Sequence, residues 1–461
     1  MPLSNAQMRD VESVLHPYTN LVRLRETGPL VIERGRGVRI YDDRGKDYIE
    51  ALSGLWCTAL GWGEEALVEA AAEQMRRLAF GHLFAGKSHE PAIALAEKLK
   101  EIAPFPVGKV FFANSGSEAN DTQIKLFWYA SNARGKPARK KIISRAKAYH
   151  GVTIAAASLT SLPANHKSFD LPLDFARFAD APHYYHGAKQ GESEREYSLR
   201  LADNLEALIE KEDADSIAAM IVEPVQGAGG VILPSQGYFD AITCVLDRHG
   251  IPLIDDEVIT GFGRTGNWFG CGTYGFEPAS MTLAKALSSA YLPISAVLIS
   301  PELSEAIEEE SGRIGTFGHG FTYTGHPVAA AVALKTIEIY QERDIVGHVR
   351  EVAPHFLARL TQLREHPLVG EASGIGLLGG IELVADKKSR ANFPAEKAVA
   401  ATVCRFGEEE GVIARPMLGD RIGFCPPLVI TETEIDELFD RVGRALDKGL
   451  DWVWREGLMA G

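Results

Sequence analysis

The chain has 461 residues, 46% hydrophobic and 24% charged. At about 150 residues per domain that is material for two or three units with a substantial core, and it excludes a disordered or fibrous protein. With 48 basic against 62 acidic residues the net charge is −14, which opposes binding to nucleic acid or to an anionic membrane, since both need a basic face.

At the N-terminus, MPLSNAQMRDVESV sets Arg9, Asp10 and Glu12 where a signal peptide needs an apolar stretch. No run approaches the ~18 apolar residues of a membrane span. The five cysteines (Cys57, Cys244, Cys271, Cys404 and Cys425) form no C-x-x-C pair. Buried thiols in a reducing compartment are expected, with no disulfide framework and no metal site. The expectation is a soluble cytoplasmic protein.

Residues 31–52 read as short antiparallel strands turned at Asp43-Arg44-Gly45. Glu64 to Leu78 is helical, with Leu67, Val68, Ala71, Met75 and Leu78 on one face. Short β-branched strands then alternate with helices up to about Ser300: Lys109–Ala113, Lys141–Ser144, Ile217–Val222, Pro252–Ile254 and Ile294–Ile299. That alternation implies βαβ units and a largely parallel sheet. Beyond Val328 a long helix, Pro327–Arg343, leads to strand-like pieces at Gly376–Leu383 and Arg421–Phe424 and an amphipathic helix, Glu432–Asp447. This reads as a second, α+β unit that the N-terminal strands join. The expected division is 1–60 with 328–461 as the small unit and 61–327 as the large one.

Three patterns point toward nucleotides. Gly81-His-Leu-Phe-Ala-Gly86-Lys87-Ser88 fits the P-loop expression, but an amphipathic helix precedes it where a buried strand is required. Gly261–Gly266 and Gly374–Gly379 both fit G-x-G-x-x-G, yet neither opens a helix. The last two read as turn glycines, and a P-loop NTPase remains only a remote alternative.

Four other features need each other. Lys285 follows an apolar strand end and is flanked by Ala, Leu and Ser, which suits a desolvated amine able to form a Schiff base. Asp256 ends the strand at Pro252–Ile254, and alternation sends it to one face and Asp255 and Glu257 to the other. Asn114-Ser115-Gly116-Ser117-Glu118 joins a strand to a helix, so its free N–H groups and small side chains make a phosphate cup. Tyr149, in Ala148-Tyr149-His150-Gly151, ends another strand where its ring could lie on a planar ligand. Taken singly, each has a bland reading: solvated lysine, acidic loop, N-cap, surface aromatic. Together, at carboxyl ends of strands, they form a pyridoxal phosphate site.

With those motifs the chain resembles the class III pyridoxal-phosphate aminotransferases of fold type I, in the omega-amino-acid and amine:pyruvate branch. The resemblance also rests on Glu223-Pro-Val-Gln-Gly-Ala-Gly-Gly230, Asp256-Glu-Val-Ile-Thr-Gly-Phe-Gly-Arg-Thr-Gly266, Gly320-Phe-Thr-Tyr-Thr-Gly-His-Pro327 and the 29-residue interval from Asp256 to Lys285. It implies an α/β fold with a large cofactor-binding domain and a smaller α+β domain. Lys285 would hold the cofactor as an internal aldimine and shuttle the proton, through a pyridoxamine phosphate intermediate. Asp256 would face the ring nitrogen, Ser115, Gly116 and Ser117 the phosphate, Tyr149 and His150 the ring, Val258 its opposite face, and Gln226 the ring hydroxyl. Phe321 and Thr322 would reach the phosphate from the neighbouring subunit of a homodimer, with a tetramer also open. Arg415 would bind a substrate carboxylate and swing aside for an uncharged amine, resting on Glu223. Trp56, Leu55 and Phe84 would wall the amine pocket. Val152-Thr153 follows Gly151 where relatives acting on glutamate-type substrates carry an arginine, which favours amines, diamines or omega-amino acids with pyruvate as acceptor. An aminomutase or a decarboxylating enzyme is the alternative within the fold.

Overall fold

The computed structural model describes residues 3–459. After two short N-terminal helices, Asn5–Ser13 and Leu21–Thr27, the chain forms an antiparallel meander of β1 (Ile32–Arg36), β2 (Arg39–Asp42) and β3 (Asp47–Glu50). The central sheet has seven strands: β4 (Lys109–Ala113), β5 (Lys141–Arg145), β6 (Ala176–Ala179), β7 (Ile217–Val222), β8 (Leu253–Asp256), β9 (Ser280–Leu283) and β10 (Ser295–Ile299). Their order is β4-β10-β9-β8-β7-β5-β6, with β10 antiparallel to both neighbours and every other pair parallel.

Both faces of this sheet are covered, which is why its inner strands are apolar throughout. Ile142, Ala219, Ile221 and Ile254 pack toward the helix Gly116–Ala133. Their alternates Ile143, Met220, Val222 and Leu253 pack toward the helices Glu194–Glu212 and Tyr238–Arg248. The period of two therefore places Asp256, two residues after Ile254, on the side of the Gly116–Ala133 helix.

After the helix Pro327–Glu342 come β11 (Val369–Ile375), β12 (Leu378–Leu383), β13 (Val412–Ile413), β14 (Arg415–Met417) and β15 (Arg421–Phe424). The first two, with β15 and β14, make an antiparallel sheet, while β13 pairs in parallel with β3. Chain start and chain end are thereby stitched together. The Gly374–Gly379 pattern is the tight turn of the β11–β12 hairpin, with Gly376 at φ +56°. Gly261–Gly266 is a loop with Gly263 and Gly266 at positive φ. The stretch preceding Gly81 is the helix Glu65–Arg77, so the P-loop pattern has no strand to follow. No helix among the described residues is long and apolar enough to cross a membrane.

Candidate active site

Four strand ends and the β14–β15 hairpin converge on one cavity of about 610 Å³. Its floor comes from β8 and β9. Lys285 follows β9 in a short 3₁₀ turn with φ +48°, a left-handed conformation that costs energy for a side chain bearing a Cβ and marks a position fixed by its surroundings. Burial pushes its amine below the ordinary lysine range, against the opposing pull of Asp256.

Asp256, at the end of β8, is fully enclosed. Its Oδ2 accepts from Asn120 Nδ2 and from His150 Nδ1, both at 2.8 Å, and its Oδ1 accepts from the Val258 N–H at 3.2 Å. A carboxylate can only accept, so His150 carries its proton on Nδ1, and His150 Nε2 is left buried with no partner. Asn120 also donates to the His150 carbonyl at 2.7 Å. Asp255 and Glu257 lie on the other side of the strand, where burial and mutual repulsion push the Asp255 carboxyl well above the usual range.

The helix Gly116–Ala133 begins at the cavity. The Ser115 hydroxyl accepts from the Glu118 N–H at 3.2 Å, and the residue is exposed. It is the N-cap of that helix and stands outside the cavity lining. Gly116 and Ser117 do line the cavity. A Cβ on Gly116 would press to 3.1 Å of Val258, which lines the cavity beside it. Gly151, at φ +134°, passes so close to Ser117 that a Cβ would lie 2.6 Å from its oxygen; the Val152 N–H thereby reaches Ser117 Oγ at 3.0 Å and leaves that hydroxyl's proton free. A helix N-terminus, a free hydroxyl, an enclosed carboxylate and an amine whose pKa burial lowers share one cavity, and its wall at Gly151 leaves no room for a side chain. These residues fit pyridoxal phosphate.

Tyr149, Glu223, Leu55, Trp56 and Arg415 also line this cavity. Two sequence expectations about partners, those for Gln226 and Glu223, are corrected. Gln226 turns its amide nitrogen to the Ala146 carbonyl at 2.9 Å and stands behind the lining, because its backbone is tied by paired hydrogen bonds to Ile232. Glu223 does not hold Arg415: its carboxylate accepts from the Tyr149 N–H at 3.1 Å and the Gly227 N–H at 3.0 Å. Phe84 lies in a separate cavity of about 830 Å³, where its ring rests on Gly320 near His319. Phe321 packs edge-on to Phe111 and His319 beside that second cavity, and Thr322 is exposed. Neither touches the Lys285 cavity.

Arg415 has no carboxylate among the described residues against it. Burial lowers its pKa, and its polar neighbours are the phenols Tyr149 and Tyr18. Tyr18 and Pro17, which bring the N-terminal segment over the cavity, carry no signal in the sequence. Asn120 does carry one, lying four residues after Gly116 and hence on the same helix face.

Over residues 23–446 the chain matches the family described as aminotransferase class-III. It is 47% identical over 434 residues, covering 94% of this chain and 84% of the other, to gamma-aminobutyrate transaminase 1, mitochondrial, of Oryza sativa subsp. japonica. The solved omega transaminase from Pseudomonas jessenii in complex with PMP superimposes with TM-score 0.96 at 48% identity, covering 98% of this chain and 99% of that one. A thermostable omega transaminase variant, changed at a Trp, a Phe and an Arg and engineered for asymmetric synthesis of enantiopure bulky amines, does so with TM-score 0.96 at 48% identity over 97% and 100%.

Proposed function

The chain belongs to the class III aminotransferases, enzymes that transaminate with pyridoxal phosphate, and from that premise we propose that it moves the amino group of a primary amine, a diamine or an omega-amino acid to pyruvate, as a homodimer in a reducing, cytoplasmic setting. The cofactor supplies the electron sink for the carbanion that transamination creates. The protein supplies the rest. Asp256, steered by Asn120 and His150, presents a carboxylate to a cationic ring nitrogen. Gly116 and Ser117 offer N–H groups, a hydroxyl and the helix dipole to the phosphate. Lys285 Nζ, its pKa lowered by burial, would take the proton from the substrate carbon bearing nitrogen and return it to the carbon on the far side of that nitrogen.

One observation carries the substrate reading: Arg415 faces the cavity with no acid among the described residues to neutralise it. A carboxylate of pyruvate, alanine or an omega-amino acid completes that charge, and an uncharged amine packs instead on Trp56 and Leu55. The relative engineered for bulky amines supports this, since its altered Trp, Phe and Arg have the mutual spacing of Trp56, Phe84 and Arg415. Phe84, Phe321 and Thr322 then reach the site from a second copy; their separation from Lys285 within one chain supports the homodimer. Five unpaired cysteines support the reducing setting.

The test is Arg415→Ala with the two half-reactions measured apart. The alanine and pyruvate steps should lose about ten- to more than a hundredfold in kcat/KM, the worth of a charge-assisted hydrogen bond. The step with an uncharged aryl amine should change about twofold or less, since no charge is lost there. Equal losses on both would make Arg415 a residue of the fold or the cofactor site.

A further inference from the structure

On the strand beside Arg415, a second arginine is wholly buried. Arg421, 2% exposed, lies on β15, in register with Met417 of β14, so both arginines ride one hairpin. Its Nε donates to the Gly230 carbonyl at 2.6 Å. Its Nη1 donates to Glu371 at 2.5 Å and Glu382 at 2.6 Å, and His183 Nε2 donates to that same Glu371 carboxylate at 3.5 Å. Gly230, at φ +132°, is what lets the side chain pass, since a Cβ there would lie 2.6 Å from Arg421 Cδ.

Gly230 closes the loop that begins at Glu223 and lines the cavity with Val225 and Ala228. The same cluster reaches the other cavity loop. His183 Nδ1 pairs with Lys147 Nζ at 2.9 Å, and Lys147 stands two residues before Tyr149. His183, Glu371 and Glu382 converge as metal ligands would, but the guanidinium already supplies their cation. Against the burial that would raise it, His183 and Arg421 hold the Glu371 carboxyl down to about 2, so the pairing persists through mildly acid conditions.

A buried ion cluster adds little net stability over apolar packing, whereas a guanidinium fork fixes direction. We propose that Arg421 is the positioning residue of Arg415: by clamping the β14–β15 hairpin to the Gly230 loop and, through His183, to the Tyr149 loop, it sets the reach of Arg415 to a substrate carboxylate. The inference rests on the proposed role of Arg415.

Arg421→Lys keeps a charge for the two glutamates but loses the fork that also spans to Gly230. In the holoenzyme, its alanine and pyruvate half-reactions should weaken about five- to fiftyfold, chiefly as a higher half-saturating concentration, as expected of a displacement near 1 Å. The aryl amine half-reaction and cofactor retention should stay within about twofold. Glu371→Gln, which removes a peripheral partner and leaves Glu382 paired, should give the same pattern more weakly if Arg421→Lys does not fold. In the double variant with Arg415→Ala, the Arg421→Lys loss should vanish, because the group it positions is gone. Equal losses on both substrate types, no loss, or additive losses in the double variant would overturn the proposal. If Arg415→Ala alone fails to discriminate substrates, the role of Arg415 falls and this inference with it. If Arg415→Ala discriminates and Arg421→Lys does not, only the role of Arg421 falls.

Discussion

The two cavities of the molecule differ in what the chain itself completes. The Lys285 cavity gathers an amine, an enclosed carboxylate, a helix start and an unpaired arginine from elements far apart in sequence. The Phe84 cavity gathers aromatic rings and Gly320, with Lys125 paired to His319 in its wall and Thr322 exposed nearby. Strand topology accounts for the first, since parallel strands bring their carboxyl ends to one edge. Nothing within one chain gives the second a task. Residues of one motif set thus divide between those that the fold assembles and those that, on the proposed reading, only a second copy delivers.

The largest effect should come from breaking the first region. Lys285→Ala should lower turnover at least about a thousandfold, because the proton carrier is lost, while cofactor still binds through the helix start and Asp256. Steady-state turnover together with cofactor content of the purified variant checks this. Asp256→Asn should cost about ten- to a hundredfold in single-turnover rate, the worth of one charged hydrogen bond, with cofactor retained. Near-normal rates would show that the carboxylate serves another end.

The second region answers to assembly. Thr322→Ala should weaken cofactor retention about fivefold, the worth of a single neutral hydrogen bond. Mixing it with Lys285→Ala sharpens the comparison. If Thr322 serves the neighbour's site, each hybrid dimer holds one site with both defects and one intact, so at a cofactor concentration that leaves Thr322→Ala mostly empty the activity rises above that of either parent. If Thr322 serves its own site, every hybrid site carries one defect and no such gain appears.

The smallest effect lies beneath the wall of the first cavity. Ser53, Gly54 and Trp56 all have positive φ, and Glu50 holds that bend by accepting from the Leu52 and Gly54 N–H groups. Burial pushes the Glu50 carboxyl up to about 8. The folded chain then keeps a proton that the unfolded chain releases above about 4.5, so this contribution to stability is full below that pH and is lost as pH rises toward 8. Glu50→Gln keeps an accepting oxygen and cannot titrate. Its Tm should fall less between pH 5 and 8 than that of the unaltered protein.

The sequence carried what local backbone decides. Strands β4, β5, β7, β8 and β10 were legible as short apolar runs, and the Asp256 alternation followed from their period of two. Strands β6 and β9 were not, being four residues each with Arg177, Ser280 or Thr282 breaking the run. The helix after β4 starts at Gly116 because Ser115 caps it. Partner choice was the harder matter. Glu223 is taken by two backbone N–H groups, Gln226 by a carbonyl, and Phe84 by a glycine more than two hundred residues away. Tyr18 reaches the cavity on a segment with no periodicity at all, held where its hydroxyl meets Asn165 at 2.6 Å. Motif spacing reports the residue types that chemistry needs, whereas tertiary contacts decide which of them face the cavity.

The central claim is that one cavity takes an amino group from an amine and gives it to pyruvate. The direct measurement follows the visible absorbance of the bound cofactor in a single turnover, with product counted. Added aryl amine should bleach the yellow holoenzyme and release the corresponding carbonyl compound, and pyruvate should then restore the colour with one alanine formed per active site. Bleaching that pyruvate cannot reverse, or carbon dioxide or an isomerised amine in place of the carbonyl product, would contradict the account.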